Sequence, residues 1–117
     1  MALIDDFSAF WSVTVNPDTI SKVIIPKGVE ASLTSGAADP KDGVESGRVV
    51  LYVKVNNGPE AAIFPFTIGK FESATTDLLF TEEDVIEFFT KGDKITVHVS
   101  GYMSNGYSLN VEEVKTH

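Results

Sequence analysis

Two segments near opposite ends of the chain constrain its fold most. Phe10-Trp11-Ser12-Val13-Thr14-Val15 and Ile95-Thr96-Val97-His98-Val99-Ser100-Gly101-Tyr102 both alternate apolar and polar residues with a period of two. Trp11, Val13 and Val15 share one face, as do Ile95, Val97 and Val99, while Thr14, Thr96, His98 and Ser100 point the other way. A side chain flips sides at each step along a strand, so this pattern demands antiparallel β-structure with one buried face. It is the wrong period for helices packed around a core.

The rest of the chain repeats the theme. Asn16-Pro17-Asp18 stops the first strand, and a β-branched run over 19–25 ends at Pro26-Lys27-Gly28. Val29, Ala31 and Leu33 alternate with Glu30, Ser32 and Thr34 as a third strand. Ser35 to Ser46 contains Gly, Asp and Pro with almost no apolar content and reads as the longest loop. Residues 48–55 form the strongest strand, with Val49, Leu51, Val53 and Val55 on one face and Val50, Tyr52 and Lys54 on the other. Both faces carry apolar residues, so both are expected to be covered. Asn57-Gly58-Pro59 makes a turn, and the run over 60–68 carries Pro65, which places that strand at an edge or a bulge. Strands are expected at 74–80 and 93–103, with a hairpin signal at Asn105-Gly106 and a further alternating segment over 107–114. Thr81 to Gly92 fits either a helix with Thr81 as N-cap or an acidic turn leading into a strand. Turns every 8–12 residues predict an all-β sandwich or barrel. The expected organisation is a lead-in over 1–9, one domain over 10–114 and a tail over 115–117.

A chain of 117 residues supports one domain, burying roughly 65% of its unfolded surface. The formal net charge of −8 disfavours contact with nucleic-acid phosphates, which needs clustered Lys and Arg, and suits solubility or a basic partner. With no cysteine there are no disulfides or thiolate ligands, consistent with a reducing compartment. No run nears the roughly 18 apolar residues that span a bilayer, and the start Met1-Ala2-Leu3-Ile4-Asp5-Asp6 lacks the positive region of a secretory signal. The expected setting is cytosolic or nuclear, without membrane contact.

Catalytic chemistry finds little support. A metal-dependent jelly-roll enzyme needs several histidines beside a carboxylate, whereas this chain has only His98 and the terminal His117. No phosphate loop, nucleophile triad or zinc spacing is present, and neither a cofactor nor a metal is expected. Carboxylates gather in three places: Asp39, Asp42 and Glu45 in the long loop, Glu82-Glu83-Asp84 with Glu87 behind them, and Glu112-Glu113. Such clusters either keep turns soluble and edges unpaired or attract Lys- and Arg-rich segments. A carbohydrate-binding sandwich would need several exposed Trp or Tyr, and the chain has one Trp and three Tyr.

Taken together, Phe10 to Pro17, the strand Val29-Glu30-Ala31-Ser32-Leu33, the Val49–Val55 strand, Ala74 to Phe80 before an acidic turn, and Gly92 to Tyr102 resemble the nucleoplasmin-like domain. The resemblance is to the form at the N-terminus of nuclear FKBP-type immunophilins and in plant HD2-type proteins, and it covers about residues 10–103. It implies an eight-stranded antiparallel jelly-roll sandwich assembling as a homopentamer or a stacked decamer. It further implies a nuclear histone chaperone that screens basic core histones with acidic loops, without isomerase activity in these residues. Residues 85–90 become a strand on this reading. Asp39, Asp42, Glu45, Glu82, Glu83, Asp84 and Glu87 are then the candidate histone-facing groups. Val50, Tyr52, Phe64, Phe66, His98 and Tyr102 are the candidates for surfaces buried between subunits. Long acidic tracts beyond the core, usual in the family, do not occur before His117. A pure oligomerisation domain of a larger immunophilin is the alternative.

Overall fold

Strict alternation produces strands wherever it occurs, and among the described residues every regular element is a strand. The computed structural model describes residues 8–40, 44–104 and 110–115. In chain order the elements are β1 (Ser8–Val15), β2 (Thr19–Ile24), β3 (Ala31–Asp39), β4 (Arg48–Val55), β5 (Ala61–Thr67), β6 (Ser73–Phe80), β7 (Val85–Gly92), β8 (Thr96–Ser104) and β9 (Asn110–Lys115). Two antiparallel sheets result, one ordered β1-β8-β3-β6 and the other β5-β4-β7-β2-β9. Apart from the β4–β5 hairpin, each consecutive strand crosses to the opposite sheet, which gives the jelly-roll winding.

The inward halves of the alternating patterns meet between the sheets. Trp11, Val13, Val15, Leu33, Val97 and Val99 pack from one side against Val23, Val49, Leu51, Phe66, Ile86 and Phe88 from the other. Each such side chain contributes about 1.5–3 kcal/mol on burial. The Trp11 indole N–H is shared between the Ser32 and Tyr102 carbonyl oxygens at 3.1 Å each. It reaches across β8 to β3 in the row where β8 carries Gly101. A β-carbon on Gly101 would overlap the Ser32 carbonyl, so the close approach requires glycine.

The segment Thr81–Gly92 resolves as an acidic turn followed by strand β7, as the resemblance implied. Ile86 and Phe88 alternate inward and bond to β2 and β4 on either side. Pro65 lies on the edge strand β5, whose pairing with β4 also shifts register between Leu51 and Tyr52. The β4–β5 turn centres on Asn56 and Asn57, one residue earlier than expected. Both have positive φ (51° and 61°), and Gly58 N–H closes the turn on the Val55 carbonyl at 2.8 Å.

Two expectations need correction. Ser35 to Asp39 is strand, not loop: β3 continues past a bulge between Leu33 and Ser35. Its small residues mislead because this stretch is paired on both sides, by β6 and β8. At Gly36 a β-carbon would stand 2.6 Å from the Phe64 ring, so the missing side chain is a packing requirement. The final alternating segment forms a ninth strand added to the eight-stranded sandwich, and it pairs with β2 rather than with β8 as a hairpin at Asn105-Gly106 would require. Both sides of β8 are already taken by β1 and β3, whereas β2 had an open edge. The Asn105-Gly106 signal lies outside the described residues.

Candidate protein-interaction surfaces

The acidic turn between β6 and β7 is held from several directions. Ile25 N–H donates to the Asp84 carbonyl at 3.0 Å, and Glu83 N–H donates to the Ile25 carbonyl at 2.8 Å. Asp84 closes the turn with its side chain, which accepts from Thr81 N–H at 2.8 Å, Thr81 Oγ1 at 3.3 Å and Asn56 Nδ2 at 2.8 Å. Hydrogen bonding from the Thr81 backbone, then from Asn56, holds the Asp84 carboxyl below its ordinary 3.8, against the opposing effect of burial. The other face of the Asn56 amide accepts from Val85 N–H at 2.8 Å. Glu82 accepts from Gly28 N–H at 2.6 Å.

The three adjacent acids therefore do different work. Asp84 is committed to the turn, Glu82 is tethered at one oxygen, and Glu83 extends into solvent from a left-handed backbone (φ 68°). Glu30 is exposed at the same end of the sandwich, since the next residue, Ala31, pairs with Phe80 just before the turn, and the Glu30 carbonyl and N–H bond Ser104. Among the described residues, neither the Glu30 nor the Glu83 carboxylate has a hydrogen-bond partner.

Asp39 lies at the opposite end. There a groove lined by Asn16, Asp18, Asp39, Asp93, Lys94 and Thr96 gathers three carboxylates. Each is engaged: Asp18 pairs with Lys94, Asp93 accepts from Arg48 N–H at 2.8 Å, and Asp39 bonds His98 Nε2 at 2.9 Å. Glu45 is exposed near this end, and Asp42 falls outside the described residues. Glu87 sits at neither end. On the outer face of its sheet it stands opposite both Lys54 and Lys22, and Lys22 stands opposite Glu112, a ladder of alternating charge. The acidic candidates thus divide between two ends and one sheet face.

The candidates for subunit contact divide as well. Phe64 and Phe66, 3% and 1% exposed, fill the core of a single copy and leave no surface for a neighbour. Alternation on an edge strand did not tell inward from outward, since Ala62 and Pro65 are no more polar. Val50 and Tyr52 lie on the outer face of β4, with the Tyr52 ring stacked on Phe89 at 5.6 Å and 11°. Lys91 Nζ is 4.6 Å from the Tyr52 centroid and 2.9 Å from Glu60, whose hydrogen bond raises the Lys91 ammonium above its ordinary value. On the outer face of the other sheet, His98 bridges Thr14 Oγ1 at 3.1 Å and Asp39. Tyr102 meets Phe10 edge-on at 5.9 Å.

Sequence reasoning missed Phe10 and Leu79, which share one cross-strand row with Tyr102 and Ser32. Phe10, Tyr102 and Leu79 are 63%, 51% and 62% exposed. The available signal was phase: Phe10 precedes Trp11, and Leu79 precedes Phe80, so each falls on the side opposite a core aromatic. Trp11 itself is buried, which removes the chain's single Trp from any sugar-stacking platform.

Comparison with known proteins agrees with this architecture. The family model of the nucleoplasmin-like domain matches residues 10–104. Among solved structures, the Drosophila NLP core, described as giving insight into pentamer formation and histone binding, superposes with a TM-score of 0.65 at 15% identity. That match covers 80% of this chain and 96% of the other. The nucleoplasmin-like N-terminal domain of Drosophila FKBP39 superposes with a TM-score of 0.61 at 23% identity, covering 88% and 95%. No curated protein matches.

Proposed function

The chain belongs to the nucleoplasmin-like domain family, and on that premise we propose that it is a nuclear histone-chaperone module. In this reading it assembles as a ring of five copies and holds basic core histones by acidic groups at its rim. The family fold is a non-enzymatic chaperone and oligomerisation fold, so binding, not turnover, is the activity to explain. The observation that carries the reading is the acidic end of the sandwich, where Glu83 stands exposed on a turn fixed by Asp84 and Asn56 and Glu30 stands exposed on backbone bonded to Ser104. Solvated carboxylates carried on a fixed backbone attract Lys and Arg, and salt screens the attraction.

Light scattering on a sizing column tests assembly, and titration with core histones tests binding. The expected mass is five or ten times the 12.7 kDa of the chain. Histone affinity is expected to fall from low to moderate salt while exceeding that for polylysine of similar length. A monomer would sink the ring. A ring that binds histones no better than polylysine would leave oligomerisation as the role.

A further inference from the structure

Among the described strands, β1 and β6 bound one sheet and β5 and β9 the other. An edge strand turns every second N–H and C=O away from its one neighbour, so sheets guard their edges with proline, charge or cover. Three of these four edges are guarded. Strand β5 has Pro65 and a register shift, and β9 carries Glu112, Glu113 and Lys115. On β1, the Thr14 carbonyl accepts from the Ser21 hydroxyl of β2 at 3.2 Å. Strand β6 is different. Over Ser73-Ala74-Thr75-Thr76-Asp77-Leu78-Leu79-Phe80 it has no proline, glycine or lysine and a single charge, Asp77. Among the described strands it pairs only with β3.

The surroundings of this edge have a definite chemistry. Ala74 and Leu78 turn toward the core, so Ser73, Thr75, Asp77 and Leu79 stand exposed on the outer face. Beside the first half of β6 that face sinks into a hollow running across β3 to β8. Ser35, Ser73, Thr75 and Ser100 line it with hydroxyls, His98 borders it, and Phe71 forms one wall. Phe71 is fixed by a pair of backbone bonds to Thr67, at 2.7 and 2.9 Å, and its side chain is 48% exposed. The strands β1, β3, β6 and β8 contain no Lys or Arg, and their only formal charges are Asp39 and Asp77. Glu72 stands exposed just before β6, and Glu82 and Glu83 just after it. Every formal charge along this edge is negative.

We infer that β6 is a docking edge for an extended basic segment of a second protein, which joins the four-stranded sheet as a fifth strand. Main-chain bonds to the open side of β6 give affinity, and alternate side chains give choice. The outer-face row sets the pattern of that segment: an apolar residue beside Leu79, a Lys or Arg beside Asp77, and an Arg beside Thr75. The Arg reaches across β6 into the hollow, where its guanidinium plane stacks on Phe71 and donates to the lining hydroxyls. The segment is a tail of the histone held at the acidic end, and this source rests on the function proposed above. Strand β6 leads from Phe80 directly into the turn that bears Glu83, so a tail lying along β6 emerges where the acidic end begins.

The probe is a synthetic peptide with Leu, Lys and Arg at alternate positions and Thr between them. Two twins are N-methylated, each on one alternate set of backbone amides. Fluorescence titration should show the parent and one twin binding, and the other twin weaker by about tenfold or more, because an edge uses only one set of amides. Asp77→Lys should weaken the parent severalfold. Phe71→Ala should weaken it more than it weakens the same peptide with Lys in place of Arg. Both positions are exposed, and circular dichroism checks that each variant is folded. Equal binding of all three peptides would mean charge attraction alone and overturn the docking edge. So would no binding of the parent to a wild-type chain that still holds core histones, which leaves the acidic end standing. A changed mass for Asp77→Lys on a sizing column would give the edge to a second copy of this chain and overturn the inference as well. If the parent and one twin bound as expected but core histones did not, the edge would stand and the function proposed above would fall.

Discussion

At the scale of single residues, two positions join sequence identity to structure without help from the rest of the fold. Gly101 lets the Trp11 indole reach the Ser32 carbonyl across β8. Gly101→Ala forces β-carbon against backbone, which cannot rotate away, so a loss of about 1–3 kcal/mol is expected. Urea unfolding measures it, and the single Trp reports the same event through a fluorescence shift in the folded state. Asp84 is the second position. Its carboxyl is held below 3.8 in the fold, so its anion stabilises the native state above the unfolded value. That contribution is lost as pH falls below 3.8 through the lower native value. The urea midpoint of the wild type should therefore drop further on acidification than that of Asp84→Asn, which is already weaker at neutral pH. Equal acid sensitivity in both would show that the turn does not depend on the charged carboxylate.

At the scale of elements, the sequence disclosed strands better than their partners. Period-two alternation located β1, β4 and β8 because one face of each is buried, and β-branched content located β2. It failed for the second half of β3, where a bulge breaks the phase and Gly36 leaves room for the Phe64 ring. It could not settle β7, since Val85-Ile86-Glu87-Phe88-Phe89 satisfies a helical stripe as well as a strand; only pairing to β2 and β4 decides. The same limit hid the roles of the acids. Adjacent Glu82, Glu83 and Asp84 look alike in sequence, and hydrogen bonds from Gly28, Thr81 and Asn56 separate them. Strand β9 lies beyond the matched family region and, among the described strands, pairs only with β2. A chain ending at residue 109 should keep the circular dichroism of the sandwich and unfold at lower urea. It should also aggregate more readily, because β2 becomes an open edge. Complete unfolding of that shorter chain would show β9 to be integral to the core.

At the scale of the whole molecule, a ring made by rotation alone keeps the same end of every copy uppermost. In the ring proposed above, each copy would set its β6–β7 turn on one rim, so that Glu30 and Glu83 recur around it while the Asp39 groove lines the other. Repetition matters more than the strength of any single exposed contact, which is worth at most about 1 kcal/mol, because copies fixed on one ring engage a basic partner together. Glu30→Lys with Glu83→Lys reverses the rim while sparing Asp84, Asn56 and both sheet faces. The double variant should therefore retain the mass of the ring yet lose histone affinity by about tenfold or more, with a flatter dependence on salt. Glu45→Lys, exposed near the other end, should change affinity far less. Titration of ring-competent variants with core histones separates the two ends. If Glu45→Lys proved the more damaging, histones would sit on the rim that carries the Asp39 groove, and the rigid turn would be a structural clasp only.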